Sequence, residues 1–225
     1  MQASVSFVIP VLNEQATLAN LLQDLRQGYP SSQLIVVDGG SCDRTVAVAM
    51  PLCDLVLISA RGRAHQMNMG GQVACSEYLC FLHADSRPGI GAMELDACLA
   101  RRPQWGFCRV RLSGQRFSFR IIEWFMNQRS RLTSGATGDQ MLFVQQCVFE
   151  QTGGFDAIPL MEDVAYCKRL RRLAPPLILT EPVLTSSRRW EECGVMRTVV
   201  RMWLLRLAYF LGVAPSTLWR YYHGR

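Results

Sequence analysis

The first hundred residues repeat one pattern, in which a short apolar segment is followed by a segment with the periodicity of a helix. The apolar segments cover residues 5–9, 33–38, 54–58 and 78–82. They lack the regular polar alternation of strands that have one face in water, and the leucines between residues 18 and 25 recur on one helical face. Strands that alternate with helices pair in parallel, and the helices cover both faces of the sheet. The pattern predicts an α/β fold with a Rossmann-like, mostly parallel sheet flanked by helices.

The second half of the chain is less regular, and no linker separates it from the first. Strands are predicted near residues 106–112, 141–144 and 177–180, and helices near residues 117–131 and 162–173. From Glu191 the chain is apolar and mostly helical. We therefore expect one continuous domain over residues 1–190, with halves over about 1–100 and 101–190, and a helical extension over residues 191–225 that packs on it.

Charge and cysteine usage limit the class of partner and the compartment. The net charge of +6 and the pI near 9.0 suit a partner that carries phosphate, such as a nucleotide, a phospholipid surface or a nucleic acid. We expect no nucleic acid, because the arginines come with no docking motif and no interleaved aromatic residues. The nine cysteines form no CxxC pair and are odd in number, which favours reduced thiols and a cytoplasmic protein. We also expect no signal peptide and no membrane span, since no apolar run reaches roughly 20 residues.

Polar residues gather where the predicted strands end and where a later helix begins. They are Asn13 and Glu14 after the first strand, Asp38 after the second, Asp85 after the fourth, and Glu162 and Asp163 at the helix start. Each has a structural alternative as a helix cap, a turn residue or a first-turn acid. Ligands of open α/β sheets bind outside the carboxyl ends of the strands, so the joint placement favours an active site.

These residues belong to six motifs that occur in the order found in the inverting family 2 glycosyltransferases of the GT-A fold. In chain order the motifs are Pro10 with Asn13 and Glu14, Asp38, His83 with Asp85, the turn from Gly153 to Asp156, Glu162 with Asp163, and Arg189 with Trp190. The chain resembles this family over nearly its whole length, because six motifs in one order are more specific than any one of them. Shorter motifs around Arg63 and Gly138 resemble a small bacterial subgroup of stand-alone enzymes.

The resemblance implies a nucleotide-diphospho-sugar donor that binds across the first half of the chain. Asp38 would accept hydrogen bonds from the base, the loop after the first strand would pack on base and ribose, and Arg63 would contact the diphosphate. The donor-binding residues implied in this way are Pro10, Leu12, Asn13, Glu14, Asp38, Arg63, Asn68 and Asp85.

The resemblance also implies the chemistry of transfer, with the acceptor bound by the second half. Asp85 would hold Mg²⁺ or Mn²⁺ against the diphosphate, and Asp163 is the candidate general base for the acceptor hydroxyl. One displacement inverts the anomeric carbon. The residues implied at the acceptor and diphosphate are Gly138, Asp139, Gln140, Glu162, Arg188, Arg189 and Trp190. For Trp190 the alternative is a place in the core, and for Arg63 it is a solvated helix start.

One residue departs from the family pattern. His83 stands at the first acidic position of the DxD-like metal motif, which leaves Asp85 as its single carboxylate. Histidine ligates Mn²⁺ but suits Mg²⁺ poorly. The identity of the metal, and metal dependence itself, are open at this point, and His83 is not among the predicted ligands.

Two other functions are weighed against transfer. A sugar nucleotidyltransferase needs a glycine-rich, basic phosphate loop after the first strand, where this chain has Asn13 and Glu14. A non-catalytic nucleotide-sugar-binding protein would have no need of Asp163. Glycosyl transfer is therefore the favoured function, while the donor base, the sugar and the acceptor stay open.

The segment from Val195 to Leu211 is an apolar helix interrupted by Arg197, Arg201 and Arg206. Three alternatives stay open for it: packing on the domain, an interface in a homo-oligomer, and peripheral contact with the inner face of the cytoplasmic membrane. Membrane contact would suit a lipid-linked acceptor.

Overall fold

The computed structural model describes residues 4–224, without the side chains of Arg189 and Cys193. Eight strands form one sheet: β1 (Val5–Val11), β2 (Gln33–Asp38), β3 (Leu55–Ile58), β4 (Tyr78–Phe81), β5 (Ser86–Arg87), β6 (Trp105–Leu112), β7 (Leu142–Gln145) and β8 (Leu177–Thr185). The helices are α1 (Leu18–Gly28), α2 (Thr45–Ala49), α3 (Arg63–Val73), α4 (Ala92–Leu99), α5 (Phe117–Thr133), α6 (Gln146–Thr152), α7 (Glu162–Leu170), α8 (Arg188–Cys193), α9 (Val195–Phe210) and α10 (Pro215–His223).

The strand order is β3-β2-β1-β4-β7-β6-β8-β5. The first four strands are parallel, β7 runs antiparallel to both of its neighbours, and β6 and β8 are parallel to each other. The predicted α/β fold with a mostly parallel, helix-flanked sheet is confirmed. Sequence reasoning missed α6 and the two-residue β5, ended β8 at residue 180 although it continues to Thr185, and extended α7 to residue 173 although it ends at Leu170.

Two apolar cores lie on opposite faces of the sheet, which explains the unbroken apolar strands. Successive residues of β1 point to opposite faces, so that Phe7 packs in the core with α1, α2 and α4, and Val8 packs in the core with α3, α6 and α7. The four leucines of α1 that were predicted to share a face are all buried in the first core. Burial of both faces leaves the loops at the strand ends as the place for polar groups.

The helices α5, α9 and α10 lie outside these two cores and form smaller clusters. Phe119 and Ile122 of α5 pack with Val195 and Val199 of α9. Leu205 of α9 packs with Leu218 of α10 and with Met161, directly before α7. The C-terminal helices thus contact the segment that carries Glu162 and Asp163. Within residues 4–224, no helix is both long enough and apolar enough to cross a membrane.

Candidate active site

Gln66, in α3, joins the ends of the first two strands. Its side-chain amide donates hydrogen bonds to the carbonyl oxygens of Val11 and Val37, both at 2.8 Å. Gln66 is buried, so these carbonyls are satisfied without water. The contact fixes the spacing of β1 and β2 where the predicted donor loops begin.

The loop after β1 is held against the turn after β2. Asn13, at a left-handed φ of 57°, accepts the N–H of Cys42 through Oδ1 at 2.8 Å, and its own N–H donates to Oγ of Ser41 at 2.8 Å. The buried carboxylate of Asp38 accepts the N–H groups of Gly40 and Ser41, each at 2.9 Å, and the hydroxyl of Ser41. Both residues shape this turn, and Asn13 does not cap α1.

The rest of the predicted donor loop lies at the same edge. Pro10 is buried in β1 beside Val37, and Leu12 is half-buried. The carboxylate of Glu14 accepts the hydroxyl of Thr17 at 2.9 Å, in the turn that leads into α1. The structure therefore brings the predicted donor residues of β1 and β2 together, while their contacts with base and ribose stay predictions.

A cavity opens beyond the end of β4, between the loop before β7 and the start of α7. Its polar lining includes His83, Thr137, Glu162 and Asp163, the main chain of Gly138 also lines it, and Phe81 is part of its apolar lining. This is the edge at which the sequence predicted the active site, and the cavity brings His83 of the segment after β4 together with Glu162 and Asp163 of α7.

The carboxylate of Asp163 is fixed by main-chain groups. Its Oδ2 accepts the N–H of Gly138 at 2.8 Å, and its Oδ1 accepts the N–H of Val164 at 2.7 Å. Asp163 lines the cavity, and two hydrogen bonds give its carboxylate a defined position there, which a proton acceptor needs.

His83 packs directly against Gly138 and is neutral. A Cβ atom at position 138 would overlap the imidazole ring. Burial, together with Arg63, lowers the pKa of His83 to about 3, so its Nδ1, 3.7 Å from Oδ1 of Asp139, does not form an ion pair at neutral pH. His83 therefore supplies shape and a neutral nitrogen to the cavity.

Two carboxyl groups around the cavity, those of Glu162 and Asp139, have raised pKa values. Burial first and Asp163 second raise the pKa of Glu162 to about 7, against the opposing effect of Arg63. Withdrawal from water raises the pKa of Asp139 as well, and Asp85 and Asp163 add to it. These effects bring Asp85, which is itself exposed, within electrostatic reach of the same site.

Arg63 is the first residue of α3 and faces these acids. Withdrawal from water alone would lower its pKa, but Glu162, Asp139 and Asp163 raise it. Arg63 is exposed at the start of α3, within electrostatic reach of these acids, and its contact with the diphosphate stays a prediction.

Two further arginines border the cluster and were not among the predicted site residues. Arg129 of α5 donates through Nη2 to Oγ1 of Thr137 at 3.3 Å and to Oε1 of Gln140 at 3.5 Å, while its buried Nε has no hydrogen-bond partner among residues 4–224. Burial and the neighbouring Arg206 lower the pKa of Arg129 to about 10, and Asp163 and Asp139 oppose this. In the sequence, Arg206 stood out as a break in an apolar helix, whereas nothing marked Arg129.

Several predicted site residues serve the scaffold in this structure. Both polar atoms of the Asn68 amide bind the main chain of Phe155, at 2.7 and 2.8 Å. Gln140 is buried and accepts the hydroxyl of Ser130 through Oε1 at 2.8 Å. Trp190 is partly buried and packs with Leu112 and the α5–α9 contact, while its role at the acceptor and diphosphate stays a prediction.

The start of α8 lies beside the metal motif. The carbonyl oxygen of Asp85 accepts the N–H of Ser186 at 3.2 Å, and Arg188 is exposed two residues further on. No hydrogen bond or ion pair described for residues 4–224 joins Arg188 to the carboxylate cluster. The side chain of Arg189, also predicted at the diphosphate, lies outside the described residues.

The metal prediction can be tested against the donor atoms present. Among residues 4–224, no group of three or more His, Cys, Asp or Glu side chains could hold an ion. Divalent cations at nucleotide sites are commonly held by one or two carboxylates together with substrate phosphates. Asp85, with Asp139 within electrostatic reach, fits a site of that kind, which the substrate completes.

Comparisons with known proteins agree on the fold. The solved structure of S. aureus TarS 1-349 has a TM-score of 0.64 and 16% identity, with 82% of this chain and 60% of that chain covered. TarS 1-349 in complex with UDP-GlcNAc has a TM-score of 0.65 at 15% identity, covering 81% and 58%. Mannosyltransferase PcManGT from Pyrobaculum calidifontis, in complex with GDP-Man and Mn²⁺, has a TM-score of 0.64 at 18% identity, covering 92% and 61%. The chain thus spans about three fifths of the length of these chains.

The sequence itself matches one family. No curated protein matches the chain. The sequence profile described as Glycosyl transferase family 2 matches residues 6–94, which run from β1 into α4 and include Asp38, Arg63 and Asp85. Residues 6–94 thus match glycosyl transferase family 2, and the mostly parallel, helix-flanked sheet of the chain has the GT-A fold of the solved structures above.

Proposed function

We propose that the chain transfers a sugar from a nucleotide-diphospho-sugar to an acceptor hydroxyl, with inversion at the anomeric carbon. The observation that carries the proposal is the carboxylate of Asp163, which two main-chain N–H groups hold at a cavity shared with Glu162 and faced by Arg63. Binding of a donor is supported by two of the fold neighbours, which were solved with UDP-GlcNAc and GDP-Man.

The donor would lie across the ends of β1, β2 and β4. The base and ribose would sit against the loop from Pro10 to Glu14 and the turn that Asp38 holds, in which Gly40 is exposed. The diphosphate would then reach Arg63 at the start of α3, where a guanidinium and a helix N-terminus both favour an anion.

Transfer needs one proton acceptor on the side of the acceptor. Asp163 takes the proton of the acceptor hydroxyl as its oxygen attacks the anomeric carbon opposite the diphosphate. The bond from that carbon to the diphosphate oxygen breaks, and its electron pair leaves with the nucleoside diphosphate. Glu162, with a pKa raised to about 7, lies beside this step and would orient the acceptor by hydrogen bonding. Gly138 and Asp139 would form the opposite wall of the acceptor site.

A divalent cation would be held by Asp85, and by Asp139 if it reaches the same ion. When bound, Mg²⁺ or Mn²⁺ neutralises charge on the leaving diphosphate. The neutral imidazole of His83 is compatible with Mn²⁺ as a further ligand, which favours Mn²⁺ over Mg²⁺.

The proposal extends to the partners and the location of the protein. We propose a cytoplasmic enzyme that works at the inner face of the membrane, with Arg188 and the end of β8 at the rim of the site.

The division into a domain over residues 1–190 and an extension over residues 191–225 is proposed as well. The helix α8 (Arg188–Cys193) crosses this boundary. Assembly into a homo-oligomer stays a prediction.

Turnover of donor tests the function directly. UDP-, GDP- and dTDP-sugars are incubated with the protein and Mn²⁺, and release of nucleoside diphosphate to water is measured for the wild type, Asp163→Asn and Asp24→Asn. We expect the first variant to lose at least about 10²-fold in rate while still binding donor. Asp24 is a surface residue of α1 that pairs with Arg87 of β5, and neither is among the predicted site residues. The rate of Asp24→Asn should therefore match that of the wild type.

Two outcomes would contradict the proposal. Near-normal turnover in Asp163→Asn would remove Asp163 from the role of base. A wild-type protein that binds a nucleotide-sugar without any release of nucleoside diphosphate would be the non-catalytic binding protein that was weighed as the alternative.

A further inference from the structure

The outer face of α5 consists of large apolar side chains. Five residues are exposed there: Phe117, Ile121, Trp124, Phe125 and Leu132. Their spacing of three, four or seven places them on one side of the helix. A helix at a protein surface normally turns charged and polar residues to water, whereas this helix turns large apolar residues to water.

The outer face of α9 has the same character. Its exposed apolar residues, together with the residue that follows the helix, are Met196, Val200, Trp203, Leu204, Leu207, Phe210 and Leu211. They recur at helical spacing over the whole length of the helix. Phe210 is 87% exposed, so the stripe faces outward and no part of residues 4–224 covers it.

The helices that carry the two stripes are in contact, since Val195 and Val199 of α9 pack with Phe119 and Ile122 of α5. Exposed apolar faces on two helices in contact mark an interaction site rather than ordinary surface. We call it the α5–α9 face, defined by the twelve exposed residues named above.

Positive charge flanks the α5–α9 face. The helices α5, α9 and α10 carry seven arginines, no lysine and one acid, Glu123. Their net charge of +6 equals the net charge of the whole chain, so the remainder of the protein is neutral. Glu123 is buried and paired with Arg120 at 2.9 Å, which leaves the exposed arginines Arg131, Arg197 and Arg220 without an acid on these helices.

We propose that the α5–α9 face docks on an anionic lipid bilayer and lies in its interface. Apolar side chains would enter the boundary between headgroups and acyl chains, and the flanking arginines would meet lipid phosphates. The helices have 17 and 16 residues, fewer than the roughly 20 of a membrane span, which suits helices that lie flat.

A second copy of the chain fits this face less well. In a two-fold symmetric dimer the same patch meets itself, so arginines of α5, α9 and α10 would face arginines, and these three helices carry no exposed acid to pair them. An anionic surface complements the same charges.

The face is connected to the catalytic cleft through its own two helices. Arg129 of α5 and Arg206 of α9 both lie within electrostatic reach of Asp163, which acts to raise the pKa of each arginine against burial. Docking of the face would therefore bring the cleft to the headgroup layer. Resting on the proposed function, this assigns the acceptor hydroxyl to a molecule presented at the lipid surface.

Vesicle flotation of the full chain tests the docking surface without any donor or acceptor. The vesicles contain phosphatidylglycerol and phosphatidylcholine, or phosphatidylcholine alone. We expect the wild type to float with the anionic vesicles, less at high salt and least with the neutral ones. The double variant Leu132→Glu/Phe210→Glu should lose about tenfold or more in partitioning. Met93→Glu places the same acid at an 85% exposed apolar residue of α4 and should float like the wild type.

Every other outcome contradicts the proposal. A wild type that stays in solution with anionic vesicles, or floats equally with neutral ones, would overturn it, and so would a double variant that floats unchanged. A wild type that sediments as a dimer, with a monomeric double variant, would assign the face to a second copy. Leu132 and Phe210 are 83% and 87% exposed, so both substitutions leave the cores intact, and the thermal melt of each variant verifies folding. Donor hydrolysis is measured separately, so failure of docking and failure of the proposed function remain distinguishable.

Discussion

At the scale of single residues, Gly138 carries two requirements of the site. Its N–H holds the candidate base, Asp163, at 2.8 Å, and its lack of a side chain lets His83 lie against the main chain. Asp163 was recognised in the sequence by its place at the start of a helix. The partner that aims it is 25 positions away in the chain, and no local pattern reveals that contact.

Gly138→Ala should therefore reduce turnover by about 10²-fold, because the new methyl group displaces either His83 or the N–H that orients Asp163. Donor affinity should fall far less. Gly28→Ala is the matched control, since a Cβ atom there meets nothing within 4 Å. Steady-state kinetics and donor titration by calorimetry measure both quantities, and full activity in Gly138→Ala would show that the contact is not needed.

The raised pKa of Glu162 predicts a pH dependence of stability. In the unfolded chain the group loses its proton near pH 4.5, whereas in the folded protein it does so near pH 7. Between these values the folded state holds more protons, so this residue makes the free energy of unfolding fall as the pH rises.

Glu162→Gln removes that contribution and should stabilise the protein at pH 8 by about 2 to 3 kcal/mol, with little effect at pH 4. Urea unfolding at the two pH values measures the difference. Glu77→Gln, at a surface acid paired with Arg102, should leave the pH dependence as it is. An equal effect of Glu162→Gln at both pH values would contradict the raised pKa.

At the scale of elements, one side chain of α3 ties two strands together. Gln66 donates both of its amide hydrogens to the ends of β1 and β2, and this position is buried. The strands and α3 were predicted from their apolar patterns, but the bridge between them depends on how α3 crosses the sheet.

Gln66→Ala should lower the free energy of unfolding by about 1 to 3 kcal/mol, because the carbonyl groups of Val11 and Val37 each lose the hydrogen bond from the Gln66 amide. The carbonyl group of Val11 keeps the N–H of Gly39. Donor affinity should fall too, since the loops after both strands lose their spacing. Gln72→Ala, at an exposed residue of the same helix, should change neither. Urea unfolding and donor titration provide the two readouts, and unchanged stability would mean that water replaces the amide.

Elements that bury both faces of the sheet were predictable, whereas elements defined by tertiary contacts were not. The first four strands are unbroken apolar runs, and the pattern fixed their type and order. The strand β5 has two residues and exists only because Ser86 and Arg87 meet β8. In the site, no local pattern shows that Asn68 binds the main chain of Phe155 or that Trp190 packs near α5, and the predicted ligand contacts of both stay predictions. Arg129 stayed unnoticed because its role appears only when α5 packs beside α9.

At the scale of the whole molecule, one sheet carries both halves of the site. The parallel strands β1 to β4 present the predicted donor loops, and the antiparallel step from β4 to β7 brings Gly138 and Asp139 back to the same edge. Asp85 stands where the halves meet. A cation there would depend on a substrate to complete its ligands, so metal and donor should bind together.

Thermal shift measures this linkage. Donor and Mn²⁺ at about 100 times their dissociation constant should raise the melting temperature by about 5 to 10 °C. Asp85→Ala should abolish the part that needs Mn²⁺ and leave the effect of the free nucleoside unchanged, because the metal contacts phosphate and not the base. Asp24→Ala should behave as the wild type does, and a Mn²⁺-dependent shift that survives in Asp85→Ala would assign the ligand to Asp139 or His83.

If the α5–α9 face docks on a bilayer as proposed, it changes the quantity on which the rate of transfer depends. A protein held on a bilayer searches in two dimensions, and it meets its acceptor according to the number of acceptor molecules per unit area. Dilution of the acceptor with inert lipid would then slow turnover at constant bulk concentration, whereas addition of buffer would not. For this chain, a Michaelis constant for the acceptor would be expressed as the mole fraction of acceptor in the bilayer and not as a bulk concentration.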